Sequence, residues 1–467
     1  MANYIVRDEN GRAYELGSSL GDGGQGIAWR VKGDDRYVIK TLKPSFVGID
    51  SKDKTDLILR DDTVYEKYAK KVRRLKAMCE LAELKNVATP IAVLDRPCCG
   101  YVMKLMDGME PLALQMYGDN EHMIPVVGKN SSLAKKLIVL KKVAEIMRQL
   151  HSHGLVYCDF SPNNIFVSKR AEHSEVWLID SDNLVYENKS KLVIGTPGYR
   201  APEICLIKSP NTFKSDLYSF ALIAFEYLTG GKPFDDDGDT GWDSDDGFSD
   251  LDAAEKGEVD YLYEFTNDPK DRIPLDYVCT DAMKRLFLRT FNKTGRSDPR
   301  MRPSAGEWVA ALDEAYNTVC ECNGAVAHSF LASECAWCKA SKQKHPDLGI
   351  YRMTVTGMPA IDEMRGGAWD ETPPPKLSGY FSKQKYFAVP VKAKKTFSVD
   401  IRALLAPADS GIFEKITFSK DGSVKLENCI FKTKYDGGPL KIMQPVHWQL
   451  KLNGLIMPLQ MTIERIK

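Results

Sequence analysis

The chain has 467 residues, of which 43% are hydrophobic and 27% are charged. These are the proportions of a folded globular protein, and the length predicts more than one domain. The 64 Lys and Arg residues balance the 64 Asp and Glu residues. Because no net charge is left to attract nucleic acid or an anionic membrane, we expect neither as a partner.

The N-terminal sequence, MANYIVRDENGRAYELG, carries acidic residues and lacks the apolar centre of a signal peptide. No later stretch contains the roughly 18 consecutive apolar residues that span a bilayer. We therefore expect a cytoplasmic protein that has no membrane contact.

The first part of the chain is predicted to be a small β-rich region. Between about residues 12 and 43, turn residues alternate with β-favouring runs, which indicates three antiparallel strands. An amphipathic helix is predicted from about Thr63 to Leu84, with Thr63 and Glu66 as its capping box. The runs TPIAVLD and GYVMKL predict two further strands. The apolar stripe of the helix comprises Val64, Tyr68, Val72, Leu75 and Cys79.

The middle of the chain is predicted to be mainly helical. A long amphipathic helix runs from Leu133 to His153 and is ended by Gly154, and helical patterns continue to about residue 317. Beyond about residue 345, runs such as KYFAVPV, TFSVDI and KITFS favour strands. We expect a separate β-rich domain there, for which the sequence offers no catalytic constellation.

Gly21, Gly23 and Gly26 form a G-x-G-x-x-G pattern between two predicted strands. Glycine in such a loop lets backbone amides approach phosphate without a clash from a Cβ atom. Because the loop joins two strands rather than a strand and a helix, it favours a flap over a nucleotide instead of a dinucleotide-binding fold. A glycine-rich hairpin turn without a ligand is the alternative. Lys40 follows at the end of the strand YVIK, where it would be a cation for phosphates.

A second group of polar residues lies in HGLVYCDFSPNNIFV and in the later VWLIDSD. Asp159 and Asn164 lie in a turn-rich loop after a helix, and Asp180 ends an apolar strand. Phosphoryl transfer needs this set, because Asp159 would orient the attacking hydroxyl while Asn164 and Asp180 hold Mg²⁺ against the phosphates. Each residue alone could equally cap a local turn. Their joint occurrence in this order favours the catalytic interpretation.

These motifs make the sequence resemble the protein kinase family over residues 12–317. The glycine loop, YVIK, DFSPNN, LIDSD, GTPGYRAPE and KSDLYSF occur in the family's order. The resemblance implies a serine/threonine kinase that uses ATP with Mg²⁺ or Mn²⁺, acts on protein substrates and phosphorylates itself. The stretch LFLRTFNKTGRSDPRMRPSAGEW, with cysteines after it, looks like bacterial kinases that carry a short zinc-binding tail.

The resemblance implies an α+β chain with the bilobal protein-kinase fold. The kinase domain would cover residues 1–317, with a small β-rich N-lobe at about 1–106 and a large helical C-lobe at about 107–317. A zinc-binding module at 318–344 and a β-rich accessory domain at 345–467 would follow.

The resemblance also assigns roles to single residues. Asp159 and Lys40 would be catalytic, Asn164 and Asp180 would bind the metal, and the three glycines would cover the nucleotide. Two structural pairs are implied as well: an ion pair between Glu203 and Arg302, and an anchor from Asp216 to the backbone of the catalytic loop.

Several residues depart from the family pattern. Tyr157 and Cys158 replace the His and Arg before the catalytic Asp, so the cation that would receive a phosphate on the activation segment is missing. Ser161 replaces a Lys, and Ser181 with Asp182 replaces Phe and Gly after the metal-binding Asp. A pseudokinase that binds ATP without transferring phosphate is therefore the alternative function.

The glutamate that pairs with Lys40 in the family cannot be assigned, because Glu66 is explained as a helix cap and only Glu80 or Glu83 would remain. A small-molecule kinase is disfavoured, since the peptide-platform motif APE is present.

Four of the eleven cysteines lie between residues 320 and 338. Cys335 and Cys338 form a C-x-x-C knuckle, and Cys322 with His328 would complete a tetrahedral zinc site. Cys320 is an alternative fourth sulfur. Because protein side chains fill all four positions, the zinc would be structural. Buried apolar cysteines are the alternative interpretation.

An acidic run, FDDDGDTGWDSDDGFSDLD, holds nine Asp residues between 235 and 252. A solvated loop is the simpler interpretation, because the aspartates lack the spacing of a calcium loop. A protein substrate with basic character near the acceptor hydroxyl is the sharper alternative.

Overall fold

The structure of the chain is a computed structural model. It describes residues 4–22, 26–42, 62–117, 132–170, 174–234, 272–321, 329–331, 335, 338, 348–357, 361–362, 381–390, 395–400, 413–418, 424–427, 446–452 and 455–466.

A six-stranded antiparallel sheet forms the N-terminal part of the fold, with the strand order β1-β2-β3-β4-β6-β5. The predicted three-stranded opening and the two later strands are confirmed, and β1 is an additional edge strand. The strands are β1 (Ile5–Arg7), β2 (Ala13–Asp22), β3 (Gly26–Val31), β4 (Tyr37–Leu42), β5 (Ala92–Val93) and β6 (Gly100–Lys104).

Helix α1 (Asp62–Leu81) packs one face on this sheet. Val72, Leu75 and Cys79 of the predicted stripe are buried. Val64 and Tyr68 are partly buried and pack in the cluster that contains Val72. The amphipathic pattern therefore gave the correct face of the helix.

The predicted capping box of this helix is wrong, and its C-terminal end differs slightly from the approximate prediction. Thr63 lies inside the helix and the Glu66 carboxylate binds Arg96, so these two residues do not form the capping box. The helix also ends three residues before Leu84, because Glu83 adopts a positive φ of 45° that a helix cannot contain.

The helical part follows, together with short strands that carry its loops. Helix α3 (Leu133–Ser152) ends one residue before the predicted end, and Gly154 has the positive φ of 76° typical of a chain leaving a helix. The helices are α2 (Leu112–Tyr117), α3 (Leu133–Ser152), α4 (Pro202–Leu206), α5 (Phe213–Thr229), α6 (Leu275–Val278), α7 (Asp281–Phe291), α8 (Lys293–Ser297) and α9 (Ala305–Thr318). The strands are β7 (Met109–Pro111), β8 (Leu155–Val156), β9 (Ile165–Ser168), β10 (Val176–Leu178) and β11 (Val185–Tyr186).

Helix α5 is the centre of this part, because every residue from 215 to 229 is buried. Thr212 and Ser215 cap its start reciprocally, and Gly230 ends it with a φ of 79°. Edge-to-face aromatic contacts join it to its neighbours: Phe220 meets Trp308, and Phe225 meets Phe287. A helix that is buried on all sides belongs in a core, so α5 is a packed support for the loops that contact it.

The chain divides into two compact units. The first comprises residues 1–131, 138–274 and 281–310, and the second comprises 132–137, 275–280 and 311–467. Between residues 348 and 465 the described residues lie in strands, with a five-stranded sheet and a three-stranded sheet. The C-terminal strands are β12 (Val319–Glu321), β13 (Ser329–Leu331), β14 (Leu348–Gly357), β15 (Ile361–Asp362), β16 (Phe381–Pro390), β17 (Lys395–Asp400), β18 (Phe413–Phe418), β19 (Val424–Glu427), β20 (Val446–Leu452) and β21 (Leu455–Arg465).

Two helical glycines make a matched test of packing in the first unit. A Cβ atom at Gly295 would lie 1.9 Å from the backbone oxygen of Arg289, whereas at Gly306 the nearest atom, Ser304 Oγ, would be 3.9 Å away. We expect Gly295→Ala to lower the free energy of unfolding by about 2 kcal/mol or more. Gly306→Ala should leave it unchanged or raise it by up to about 1 kcal/mol, because alanine favours helix. Urea unfolding followed by tryptophan fluorescence measures both, and equal losses would contradict this packing.

Candidate active site

The structure brings Lys40, Asp159, Asn164 and Asp180 to one place in the first unit. Lys40 projects from β4, and its Nζ lies 2.6 Å from Oδ1 of Asp180. The amide nitrogen of Asn164 donates to the backbone oxygen of Asp159 at 2.9 Å and to its Oδ2 at 3.2 Å. The backbone oxygen of Asn164 in turn accepts the amide of Ile179 at 2.9 Å. The two loops that carry the acidic residues are therefore joined through Asn164.

The loop before Asp159 is fixed by a side chain of helix α5. The Asp216 carboxylate is 1% exposed and accepts the backbone amides of Tyr157 at 2.8 Å and Cys158 at 3.0 Å. His151 Nε2 lies 3.1 Å from the same carboxylate. Cys158 has a positive φ of 74°, a backbone conformation that these two hydrogen bonds hold in place. The anchoring role that the resemblance implied for Asp216 is confirmed.

Thr196 fixes the orientation of the Asp159 carboxylate. Its backbone amide and its hydroxyl both donate to Oδ1 of Asp159, each at 2.8 Å. Oδ2 accepts the hydrogen bond from Asn164. Each carboxylate oxygen therefore has a defined partner, which holds the group in a single orientation.

Lys40 has a second acidic neighbour that the sequence analysis did not assign to the site. Its Nζ lies 2.7 Å from Oδ2 of Asp182, and the hydroxyl of Tyr101 donates to Oδ1 of Asp182 at 2.8 Å. Burial alone would lower the pKa of Lys40, but the charges of Asp182 and Asp180 raise it above its ordinary value. Lys40 is therefore a cation across the neutral pH range. The available sequence signal was a carboxylate where the family has a glycine.

Asn164 and Asp180 have oxygens suited to a hard divalent cation. Within the described part of the chain, neither Oδ1 of Asn164 nor Oδ2 of Asp180 accepts a hydrogen bond. Amide and carboxylate oxygens are the ligands that Mg²⁺ and Mn²⁺ prefer. Asp180 sits in the left-handed region with φ 58° and ψ 55°, at the start of a single turn of 3₁₀ helix. Such a strained residue is typical of a functional position.

The predicted glycine loop is described in part. Gly21 has no atom within 4 Å of a Cβ position, whereas a Cβ atom at Gly26 would lie 2.4 Å from the backbone oxygen of Thr41. Gly26 is therefore required by the close approach of β4, whether or not the loop covers a ligand. Gly23 lies outside the described residues.

Neutral hydrogen bonds contribute to holding the segment after Asp180, beside the ion pair of Asp182 with Lys40. The Ser181 hydroxyl donates to the backbone oxygen of Ala88 at 2.7 Å. The amide of Asn211 donates to the backbone oxygens of Cys158 at 3.1 Å and Ile194 at 3.0 Å. Burial raises the pKa of the Cys158 thiol well above its ordinary range, so this side chain is uncharged.

The implied ion pair between Glu203 and Arg302 is confirmed. The guanidinium donates to both carboxylate oxygens of Glu203, at 2.8 and 2.7 Å, and its side chain has no exposed surface. It also donates to the backbone oxygens of Gly295 and Lys214, each at 2.9 Å. This buried charge makes four hydrogen bonds, two of them to Glu203, and so fixes α4 to the rest of the unit.

The predicted zinc ligands are only partly within the described residues. Cys320, Cys335 and Cys338 are buried in one cluster in the second unit, and their neighbours include Phe330. Cys322 and His328 lie outside the described residues. Among residues that the structure describes, no three metal-binding side chains come together as a metal site.

Comparison with known proteins extends these observations. A sequence profile described as the protein kinase domain matches residues 14–311 of the chain. The chain is 25% identical over 409 residues to "Protein kinase YegI" of Escherichia coli (strain K12), which covers 80% of this chain and 56% of the relative. It is 29% identical over 135 residues to "Serine/threonine-protein kinase Pkn1" of Myxococcus xanthus, covering 27% of this chain and 19% of the relative.

A human relative, "Serine/threonine-protein kinase H2", is 26% identical over 227 residues, covering 45% of this chain and 57% of the relative. The chain thus spans little more than half the length of these curated relatives, and much less of Pkn1. In the described residues, no helix combines the length and the apolar character needed to cross a membrane.

Proposed function

The chain belongs to the protein kinase family, and we propose that it transfers the γ-phosphate of ATP to serine and threonine hydroxyls of proteins, including its own. The observation that carries this proposal is the joint placement of Lys40, Asp159, Asn164 and Asp180, with each side chain held by a defined partner. The names of the relatives support the choice of serine and threonine as acceptors.

Each residue of the site would have one task. Asp159, with its carboxylate held by Thr196, would orient the acceptor hydroxyl and accept its proton. Lys40 would bind phosphate oxygens, and the loop of Gly21, Gly23 and Gly26 would cover them. Asn164 and Asp180 would hold Mg²⁺ or Mn²⁺, which when bound neutralises charge on the phosphates.

Two finer points concern the substrate. We propose a protein substrate rather than a small molecule because Glu203 and Arg302 fix the helix that begins in the APE motif. Basic character near the acceptor is proposed on the acidic run at 234–252, most of which lies outside the described residues.

The altered residues around the site favour a pseudokinase as the second candidate. Cys158, Ser161 and Asp182 stand where active family members usually have Arg, Lys and Gly. The two candidates differ in one measurable property, since both bind ATP but only the kinase transfers phosphate.

Replacing Asp159 separates the two candidates. We expect wild-type protein to label itself or a generic protein substrate from γ-labelled ATP and Mg²⁺. Asp159→Asn should lower transfer by at least about 100-fold, because the proton acceptor is lost. ATP affinity, measured by calorimetry, should stay within about threefold of wild type, because Asp159 has no role in holding phosphate.

The matched control is Asp107→Asn, which removes a carboxylate that is 77% exposed. It should leave both transfer and binding unchanged. Tight ATP binding by a wild-type protein that transfers no phosphate would favour the pseudokinase.

Activity should not depend on phosphorylation of residues 181–202. The neutral, buried Cys158 thiol cannot pair with a phosphate as an Arg would, and the Ser190 hydroxyl oxygen is itself buried. We expect Ser190→Ala to keep kcat within about twofold of wild type, since serine to alanine removes no charge and no hydrogen bond that the described residues provide. Protein treated with a phosphatase, with the removal of phosphate checked by mass spectrometry, should also keep kcat within about twofold. Loss of activity in both preparations would contradict this independence.

We also propose a structural zinc ion bound by Cys322, His328, Cys335 and Cys338, in a module at residues 318–344 between the kinase domain (1–317) and the β-rich domain (345–467). Its support is the burial of Cys335 and Cys338 in one cluster, at the spacing of a zinc knuckle. The ion would stabilise this module without taking part in phosphoryl transfer.

Metal analysis tests this site. We expect about one zinc per chain, and its loss in the double variant Cys335→Ser with Cys338→Ser, because two of four ligands are gone. Cys205→Ser, which changes a buried cysteine of the first unit, should retain zinc. Zinc retained by Cys320→Ser supports Cys322 as the ligand, and its loss would assign Cys320 instead. Absence of zinc from the wild-type protein would overturn the proposal.

A further inference from the structure

The Asp182 carboxylate binds the Lys40 ammonium through one oxygen and the Tyr101 hydroxyl through the other. Lys40 on β4 and Tyr101 on β6 are directly paired across the sheet. Their polar ends converge on the two oxygens of one carboxylate, Oδ2 at 2.7 Å from the lysine and Oδ1 at 2.8 Å from the tyrosine. The Asp182 side chain is only 6% exposed. Two neighbouring strands therefore fix both oxygens of a buried carboxylate.

Helix α1 does not supply a carboxylate to Lys40. Its three acidic residues are solvent-exposed and bind cations elsewhere: Asp62 and Glu66 contact Arg96, and Glu80 contacts Lys76. Glu83, the other candidate, lies beyond the end of the helix. Neither glutamate that the sequence left as a candidate contacts Lys40 within the described part of the chain.

A residue of helix α1 that packs near Tyr101 is aromatic rather than acidic. Tyr68 is partly buried in the cluster that contains Tyr101. Burial and then the charge of Asp182 raise the pKa of its hydroxyl. Tyr68 supplies no positive charge, and within the described residues the cation that pairs with the Asp182 carboxylate is Lys40.

We propose that Asp182 is the positioning residue for Lys40, in place of a glutamate from helix α1. This inference rests on the proposed function in that Lys40 is taken to bind phosphate. Asp180 cannot hold Lys40 while it binds the metal, because its carboxylate is also the one suited to the metal. Asp182 would keep the ammonium in place when the Asp180 carboxylate binds the metal. Because Asp182 lies in the same loop as Asp180, its contact with Lys40 does not depend on the position of helix α1.

A double-mutant cycle tests whether Asp182 acts through Lys40. The variants are Asp182→Asn, Lys40→Met and the combination, and the readout is binding of a non-hydrolysable ATP analogue with Mg²⁺. We expect Asp182→Asn to weaken binding at least about tenfold, because one partner of a buried pair is lost. In the Lys40→Met background the same change should weaken binding by less than about twofold. Additive losses, or full-affinity binding by Asp182→Asn, would overturn the proposal.

Thermal unfolding without nucleotide is a second readout. A pairing role and a packing role for Asp182 predict opposite changes in the melting temperature. Lys40→Met leaves two carboxylates facing each other without their cation, so adding Asp182→Asn should raise the melting temperature of that variant. A further drop would mean that Asp182 has only a packing role, and would overturn the proposal.

The matched controls are Glu66→Gln and Glu80→Gln, which remove the two glutamate charges of helix α1. Both should bind the analogue within about twofold of wild type. A loss from Glu80→Gln as large as that from Asp182→Asn would assign the role to the helix. None of these measurements needs phosphoryl transfer, so a chain that binds ATP without transferring phosphate would refute the proposed function and leave this inference standing.

Discussion

The buried carboxylate of Asp216 is the constraint on which the rest of the site depends. A charge at 1% exposure is tolerated only when hydrogen bonds replace its water, and here the donors are two consecutive backbone amides and a histidine. Because α5 is buried from residue 215 to residue 229, these bonds tie the loop at Tyr157 and Cys158 to a helix in the core of the unit. The position of Asp159, and through it that of Asn164 and Thr196, follows from this anchor.

The sequence predicted those parts of the fold whose causes are local or repeated. Strand alternation placed β2 to β4, helical periodicity placed α1 and α3, and the order of six motifs indicated the kinase fold. The same motifs indicated the four residues that the structure brings together, because each motif combines a chain turn with a polar group. Glu203 and Arg302, 99 positions apart, could be paired only through the resemblance.

The rest depended on distant contacts that no local pattern encodes. In the sequence, Asp182 is only a replacement of the family's glycine. In the structure its oxygens contact Lys40 and Tyr101, which lie 142 and 81 positions away. Glu66 fitted a capping pattern, but Arg96 offered its carboxylate a stronger, charged partner. Gly26 fitted a phosphate loop, yet the backbone of β4 demands glycine there in any case. In each case tertiary packing decided between interpretations that were locally equivalent.

The neutral hydrogen bonds of Asn211 and Ser181 have a consequence for how an enzyme of the proposed kind would process a signal. A segment that needs a covalent phosphate for order keeps a record of its last activation until another enzyme erases it. A segment whose contacts need no phosphate keeps no such record. The rate of phosphate transfer would follow the present concentrations of nucleotide and substrate. Any memory of earlier signals would have to lie in another component of the cell.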